Sequence, residues 1–209
     1  MQTTVVALAI TCMSAVPALA DIVVDHSPPS NAGPSYYSNA APNAFTTQNI
    51  YDDFSLSAAI DLSQVTFWGY FDAGFPATPS FRVRVFSGTA STIGAIAFDQ
   101  TLTATATPTG LFEGSFQIVR YDIAITPQQI GAGTYWLNVG NSVQTARWGW
   151  SRQDVAFVSG MQIAVEDAQI NPAWHTIGDY DRAFQIVPSP GAAALAAALG
   201  LAGFRRRRN

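Results

Sequence analysis

The sequence predicts an all-β protein, an antiparallel β-sandwich of jelly-roll type, from three observations. Apolar and polar residues alternate in many short stretches. Clusters of Gly, Pro, Asn and Asp separate those stretches, and no long stretch carries a helical period. Charged residues are 11% of the 209, under half the roughly 25% usual in soluble domains. That share excludes a coiled coil, a helical bundle or a disordered acidic chain, all of which need far more charge.

Taken in order, residues 1–20 read as a secretory signal peptide. A short apolar core over residues 5–16 is broken by Pro17, and Ala18-Leu19-Ala20 supplies the small-x-small pattern that signal peptidase cuts. The one cysteine, Cys12, lies inside this segment. The mature chain therefore has no disulfide and must rely on its core. Residues 28–42, rich in Pro, Ser, Asn and Gly, predict an irregular N-terminal segment.

Strands follow. Val65, Phe67, Gly69 and Phe71 share one face, with Thr66, Trp68 and Tyr70 on the other. Phe81, Val83 and Val85 alternate with Arg82 and Arg84, predicting a strand with its apolar face inward and its charges outward. Phe116 and Ile118 alternate with Gln117 and Val119, Tyr135, Leu137 and Val139 with Trp136 and Asn138, and Phe184 and Ile186 with Ala183 and Gln185. Further strands are expected over 44–50, 53–57, 95–102, 146–150 and 161–165. One helical turn is expected at Thr126-Pro127-Gln128-Gln129, where Thr126 can cap, Pro127 suits the first helical position and Gln129 completes a capping box. About ten short strands without intervening helices indicate the jelly-roll sandwich, with an immunoglobulin-like sandwich as the alternative. No internal repeat or linker divides residues 21–187.

Residues 188–209 form a separate unit. Val187-Pro188-Ser189-Pro190-Gly191 precedes an apolar run over 192–204 and then Arg205, Arg206, Arg207 and Arg208. As a helix that run is about 20 Å long, short of the ~30 Å hydrocarbon core. The terminal arginines fit a positive-inside stop that leaves the body of the protein outside the cytoplasm. This ending resembles the PEP-CTERM sorting signal of Gram-negative bacteria in the order of its parts: a Pro-x-Pro motif, a short membrane-inserting stretch and an arginine cluster. Ser189 stands where that family usually has Glu. The resemblance covers residues 187–209 and implies transient inner-membrane insertion and cleavage by an exosortase, a membrane cysteine protease-like enzyme. It further implies delivery to the cell surface or extracellular matrix in exopolysaccharide or biofilm surroundings. The body also looks like the β-sandwich modules that commonly precede this signal. It does so through Asp52-Asp53-Phe54-Ser55-Leu56, Val65-Thr66-Phe67-Trp68-Gly69, Gly133-Thr134-Tyr135-Trp136-Leu137 and Asp181-Arg182-Ala183-Phe184-Gln185.

Charge narrows the partners. The chain has ten arginines and no lysine. Residues 21–187 hold six of those arginines and all fourteen acids, a net of −8. Such a body repels phosphate backbones, which excludes nucleic acid as a partner. Catalytic signatures are missing: there is no G-x-S-x-G elbow, no H-E-x-x-H zinc pattern and no paired-carboxylate motif around Glu113 or Glu166. His26 and His175 stand apart from any such pattern. No cofactor is expected, with structural calcium as the one alternative. Asp52-Asp53 and Asp179-x-Asp181 bring hard oxygen ligands close together, and the competing reading is turn and strand-end residues. For binding, Trp148 and Trp150, and likewise Trp68 and Tyr70, are two apart and share a strand face, while Trp174 falls in an expected loop. Exposed, these rings would stack on sugars; buried, they fill the core. The expectation is a secreted, non-catalytic surface or matrix protein with a structural or adhesive role. A carbohydrate-binding module is the alternative, and an extracellular hydrolase comes third.

Overall fold

The computed structural model describes residues 21–26, 35–40, 48–143, 145–153, 161–165, 173–177 and 181–190, with the side chains of 161–165 and 173–177 excepted. The strands are β1 (Val24–His26), β2 (Tyr36–Tyr37), β3 (Gln48–Leu56), β4 (Ile60–Phe71), β5 (Ser80–Thr89), β6 (Thr92–Thr103) and β7 (Thr105–Glu113). They continue as β8 (Phe116–Ile130), β9 (Gly133–Asn141), β10 (Trp148–Trp150), β11 (Met161–Val165), β12 (Ala173–Ile177) and β13 (Phe184–Pro188). The described residues contain no helix, and so none long and apolar enough to cross a membrane. The signal segment with Ala18 and Ala20 lies outside the described residues, as does the tail from Gly191 through Arg208.

The strands form two antiparallel sheets. In the first, β7, β8 and β4 lie side by side, and the far edge of β4 is shared. Residues 62–67 of β4 pair with β13, which carries β1, while residues 69–71 pair with β10, which carries β2. The second sheet has the order β12-β11-β3-β9-β5-β6. Their apolar faces meet. Phe67 of β4 lies 4.9 Å from Phe81 of β5, Phe81 lies 5.0 Å from both Tyr121 of β8 and Trp148 of β10, and Phe54 of β3 lies 6.0 Å from Phe184 of β13. Edge-on rings at these separations give directional attraction on top of buried area. The arrangement is sandwich-like, and without disulfides it is held by a core in which these rings pack with aliphatic side chains such as Ile50, Leu62, Val83 and Leu137.

Several local expectations change. The strands expected over 44–50 and 53–57 are joined where they are described, because Gln48–Leu56 runs through as β3, and residues 44–47 lie outside the described residues. The helical turn at residues 126–129 is absent, since β8 continues to Ile130 and pairs Gln128 and Gln129 with Leu62 and Asp61. Tyr121, Ile123 and Ile125 carry a buried period-2 face into this stretch. Pro127, which lacks an N–H, sits where the β4–β8 register shifts between Leu62 and Gln64, so no ladder bond is lost. The β7 strand was not foreseen. It is Thr-rich, and Pro108 interrupts it at another register shift on a sheet edge, where Pro is tolerated. Arg84 does not project into solvent as expected. It lies buried along the outer face of the second sheet, where Nε donates to Asn138 Oδ1 at 2.9 Å and Nη2 donates to Asn49 Oδ1 at 3.1 Å.

Candidate functional site

The aromatic candidates do not form a surface platform. Trp148 and Trp150 do share one face of β10, but that face points into the core and both rings are fully buried. Trp148 packs edge-on against Phe67 and Phe81, and Trp150 Nε1 donates to the Ala183 carbonyl at 3.1 Å. Trp68 and Tyr70 occupy the opposite, outer face of β4 and are covered there. Trp68 sits among Ile118, Ala183 and Leu111, while Tyr70 lies flat against Phe116 at 4.8 Å, with burial raising its phenol pKa above the ordinary range. Both pairs are buried, but only Trp148 and Trp150 fill the core between the sheets; Trp68 and Tyr70 are covered on the outer face of β4. Trp174 belongs to β12 rather than to a loop, and its side chain lies outside the described residues.

The acidic candidates divide. Asp52 and Asp53 are consecutive on β3 and so point to opposite faces. Asp52 faces inward with Ile50 and Phe54 and is wholly buried. Its Oδ2 accepts the Arg182 backbone N–H at 2.5 Å and lies 3.6 Å from His26 Nδ1. Asp181, also buried, accepts the Gln153 backbone N–H on its carbonyl at 2.8 Å and the Gln153 side-chain amide on Oδ2 at 3.4 Å. The buried Arg182 guanidinium donates to the Trp150 carbonyl at 3.1 Å and lies 5.2 Å from the centre of the Tyr36 ring. Burial pushes the Asp52 carboxyl up to about 6, and Asp181 adds to the rise while His26 opposes it. Burial works against a charged His26, but the attraction of Asp52, backed by Asp181 and Asp53, lifts its pKa above 6.5. Burial also brings the Arg182 pKa down to about 10, so the group stays charged at neutral pH.

This is an internal ion cluster, and it does not fit calcium. Asp52 already serves His26 and Arg182, and a divalent cation beside a buried guanidinium would be repelled. Among the described residues no group of three or more His, Cys, Asp or Glu side chains is placed to hold a metal. Asp179 lies outside the described residues. No periodicity marked this cluster in the sequence, because Asp52 and Arg182 are 130 positions apart.

An open cleft of about 390 Å³ lies where β4 runs into the β4–β5 loop, bounded on the other side by β7 and β8. Its apolar wall is Phe71, Phe75, Ala106, Pro108, Phe116 and Val119, and its polar groups are Asp72, Ser115 and Gln117. The loop is fastened by Asp72, whose carboxylate accepts Arg147 Nε at 2.5 Å and the Arg147 backbone N–H at 3.1 Å. The opposite rim is the two-residue hairpin turn Gly114-Ser115, with Gly114 at φ 59°, a conformation that suits glycine. The Ser35 N–H, at 2.9 Å, and the Ser35 hydroxyl both donate to Glu113 and hold that turn against the N-terminal segment. Phe75 is 51% exposed, and its ring lies nearly parallel to that of Tyr121 at 6.2 Å. Sequence reasoning did not single out this cleft. The available signal was Phe75 itself, a large apolar side chain in a Gly- and Pro-punctuated loop.

No protein-family model matches the chain, and a comparison with curated proteins finds no match either.

Proposed function

We propose that the chain is a secreted, exosortase-sorted protein of the bacterial surface or extracellular matrix. In this reading a jelly-roll-like sandwich over 21–187 performs a structural or adhesive role without catalysis. Residues 1–20 are removed by signal peptidase, and the sorting signal of Val187, Pro188, Ser189, Pro190, Gly191 and the four arginines directs transient anchoring. The observation that supports it is the seating of β13, the strand that leads into the tail. It is an interior strand, paired antiparallel to β4 on one side and to β1 on the other, and the Ser189 N–H extends the ladder to the Asp61 carbonyl at 2.7 Å. Tension applied through residue 190 would load hydrogen bonds on both edges of that strand together, which suits a domain held by its C-terminal end.

The test is intact-mass analysis of protein from the cell surface or culture medium of the native host. The expected species begins at Asp21 and lacks Arg205 to Arg208. A dominant extracellular species that still carries the four arginines overturns the sorting reading in favour of a simple membrane tether. Replacing those arginines with neutral residues should impair retention and processing while leaving the body folded. The carbohydrate-binding alternative no longer has the two aromatic pairs as platforms, and the cleft beside Phe75 is what favours it now.

A further inference from the structure

We propose that the cleft between the β4–β5 loop and the β7–β8 hairpin binds uncharged pyranose residues of a polysaccharide chain. The proposal rests on the carbohydrate-binding reading of this site and is independent of how the protein is sorted. A pyranose offers an apolar C–H face and a rim of hydroxyls, so its site needs a flat apolar surface with unengaged polar groups beside it. Phe75 supplies the surface. Tyr121 backs one face of its ring at 6.2 Å with 10° between planes, and Phe71 meets it edge-on at 6.0 Å, so the ring is held in place with its outer side toward solvent. Gln117 and Ser115 supply the polar groups. Both are exposed, line the cleft and have no side-chain hydrogen bond to another described residue. A Gln amide both donates and accepts, which matches the dual character of a sugar hydroxyl.

Charge and shape select the ligand further. The Asp72 carboxylate in the wall is already paired with Arg147, which leaves no free cation there among the described residues for an acidic sugar. The body carries a net −8, so uronate, sulfate or phosphate groups would meet an unfavourable field. An alkyl chain would remove Gln117 and Ser115 from water without pairing them, which is unfavourable. The cleft is open to solvent, so a chain could pass through it with its neighbouring residues outside. Its volume falls within the roughly 300–1,000 Å³ of small-ligand sites, and the Arg147–Asp72 and Ser35–Glu113 contacts fix its two rims in advance.

The test uses the full secreted chain, titrated with neutral gluco-, galacto- and manno-hexasaccharides, a polyuronate hexasaccharide and a medium-chain fatty alcohol, and followed by NMR shift changes and calorimetry. Saturable binding of at least one neutral hexasaccharide is expected. Phe75→Ala should weaken it at least tenfold and Gln117→Ala several-fold. Gln117 is exposed, so its variant should melt with the wild type, and Phe75→Ala, which also loses ring contacts with Phe71 and Tyr121, is titrated well below its own melting temperature. The proposal is overturned if no neutral hexasaccharide binds, if binding survives both substitutions, or if the polyuronate or the alcohol is the preferred ligand. A negative result leaves sorting untouched, since mass analysis reads that separately.

Discussion

Asp52 and His26 show how a buried pair makes a fold sensitive to pH. The folded pKa of Asp52, about 6, exceeds its ordinary 3.8, and that of His26 exceeds 6.5. The native protein therefore binds more protons than the unfolded chain across this window, and stability falls as pH rises through it. Asp99 has the opposite sign, because Arg82 holds its carboxyl below 3.8. Its contribution is lost only at still lower pH, and it is ionised in both states above pH 5. Chemical denaturation should thus give an unfolding free energy lower at pH 8 than at pH 5, by about 1 kcal/mol or somewhat more. Asp52→Asn should flatten that dependence, whereas His26→Gln should steepen the part due to Asp52, because His26 holds that carboxyl down. A wild-type stability that rises from pH 5 to pH 8 would show that the pair does not control the profile. The cluster also shows why the Asp52-Asp53 pair does not act as one ligand set. Closely spaced acids suggest a ligand set, yet the register of β3 turns Asp52 and Asp53 to opposite faces.

At the scale of elements, the junction of β4 and β10 depends on two glycines set diagonally across the ladder, Gly69 opposite Trp150 and Gly149 opposite Tyr70. A Cβ on Gly69 would come within 2.2 Å of the Gly149 carbonyl and 2.6 Å of the Trp148 ring, neither of which can move cheaply. Gly69→Ala should cost about 3 kcal/mol, measurable by urea titration. A cost below about 0.5 kcal/mol, the usual range for surface substitutions, would mean that the strands do not approach so closely. Trp148→Ala should cost about 3–5 kcal/mol as a core truncation. Its effect on any sugar binding would therefore reflect lost folding, and a stable Trp148→Ala protein would contradict the buried placement. The alternation at Phe81, Val83 and Val85 was legible because one face of β5 meets the core directly. The path of β8 was not, because Thr126-Pro127-Gln128-Gln129 has local helix-start chemistry that pairing with β4 overrides.

For the whole molecule, the position of β13 sets where the chain can be cut. Phe184 and Ile186 are buried, and β13 is the strand that β1 pairs with. A chain ending after Pro190 should melt within about 2 °C of the full-length protein, since it keeps every contact that β13 makes with the described residues. A chain ending after Arg182 should lose cooperative melting, because both sheet neighbours of β13 and two core side chains lose their partners. Circular dichroism on heating separates the outcomes, and cooperative melting of the shorter chain would show that β13 is dispensable.

The sequence by itself determined the all-β class and the inward faces of β5 and β9, through period-2 alternation and turn residues that act over a few positions. Its terminal segments and their charges also framed the proposal of secretion and sorting. Tertiary structure alone decided that Trp148, Trp150, Trp68 and Tyr70 are covered, that Arg84 lies along a sheet, and that Asp52 meets His26 and Arg182. It also decided that Phe75, Gln117 and Ser115 line one cleft. Alternation assigns a residue to a face, but whether that face meets water or another layer depends on long-range strand pairing. For Asp52 and Arg182 that pairing joins positions 130 residues apart, a separation no local pattern encodes.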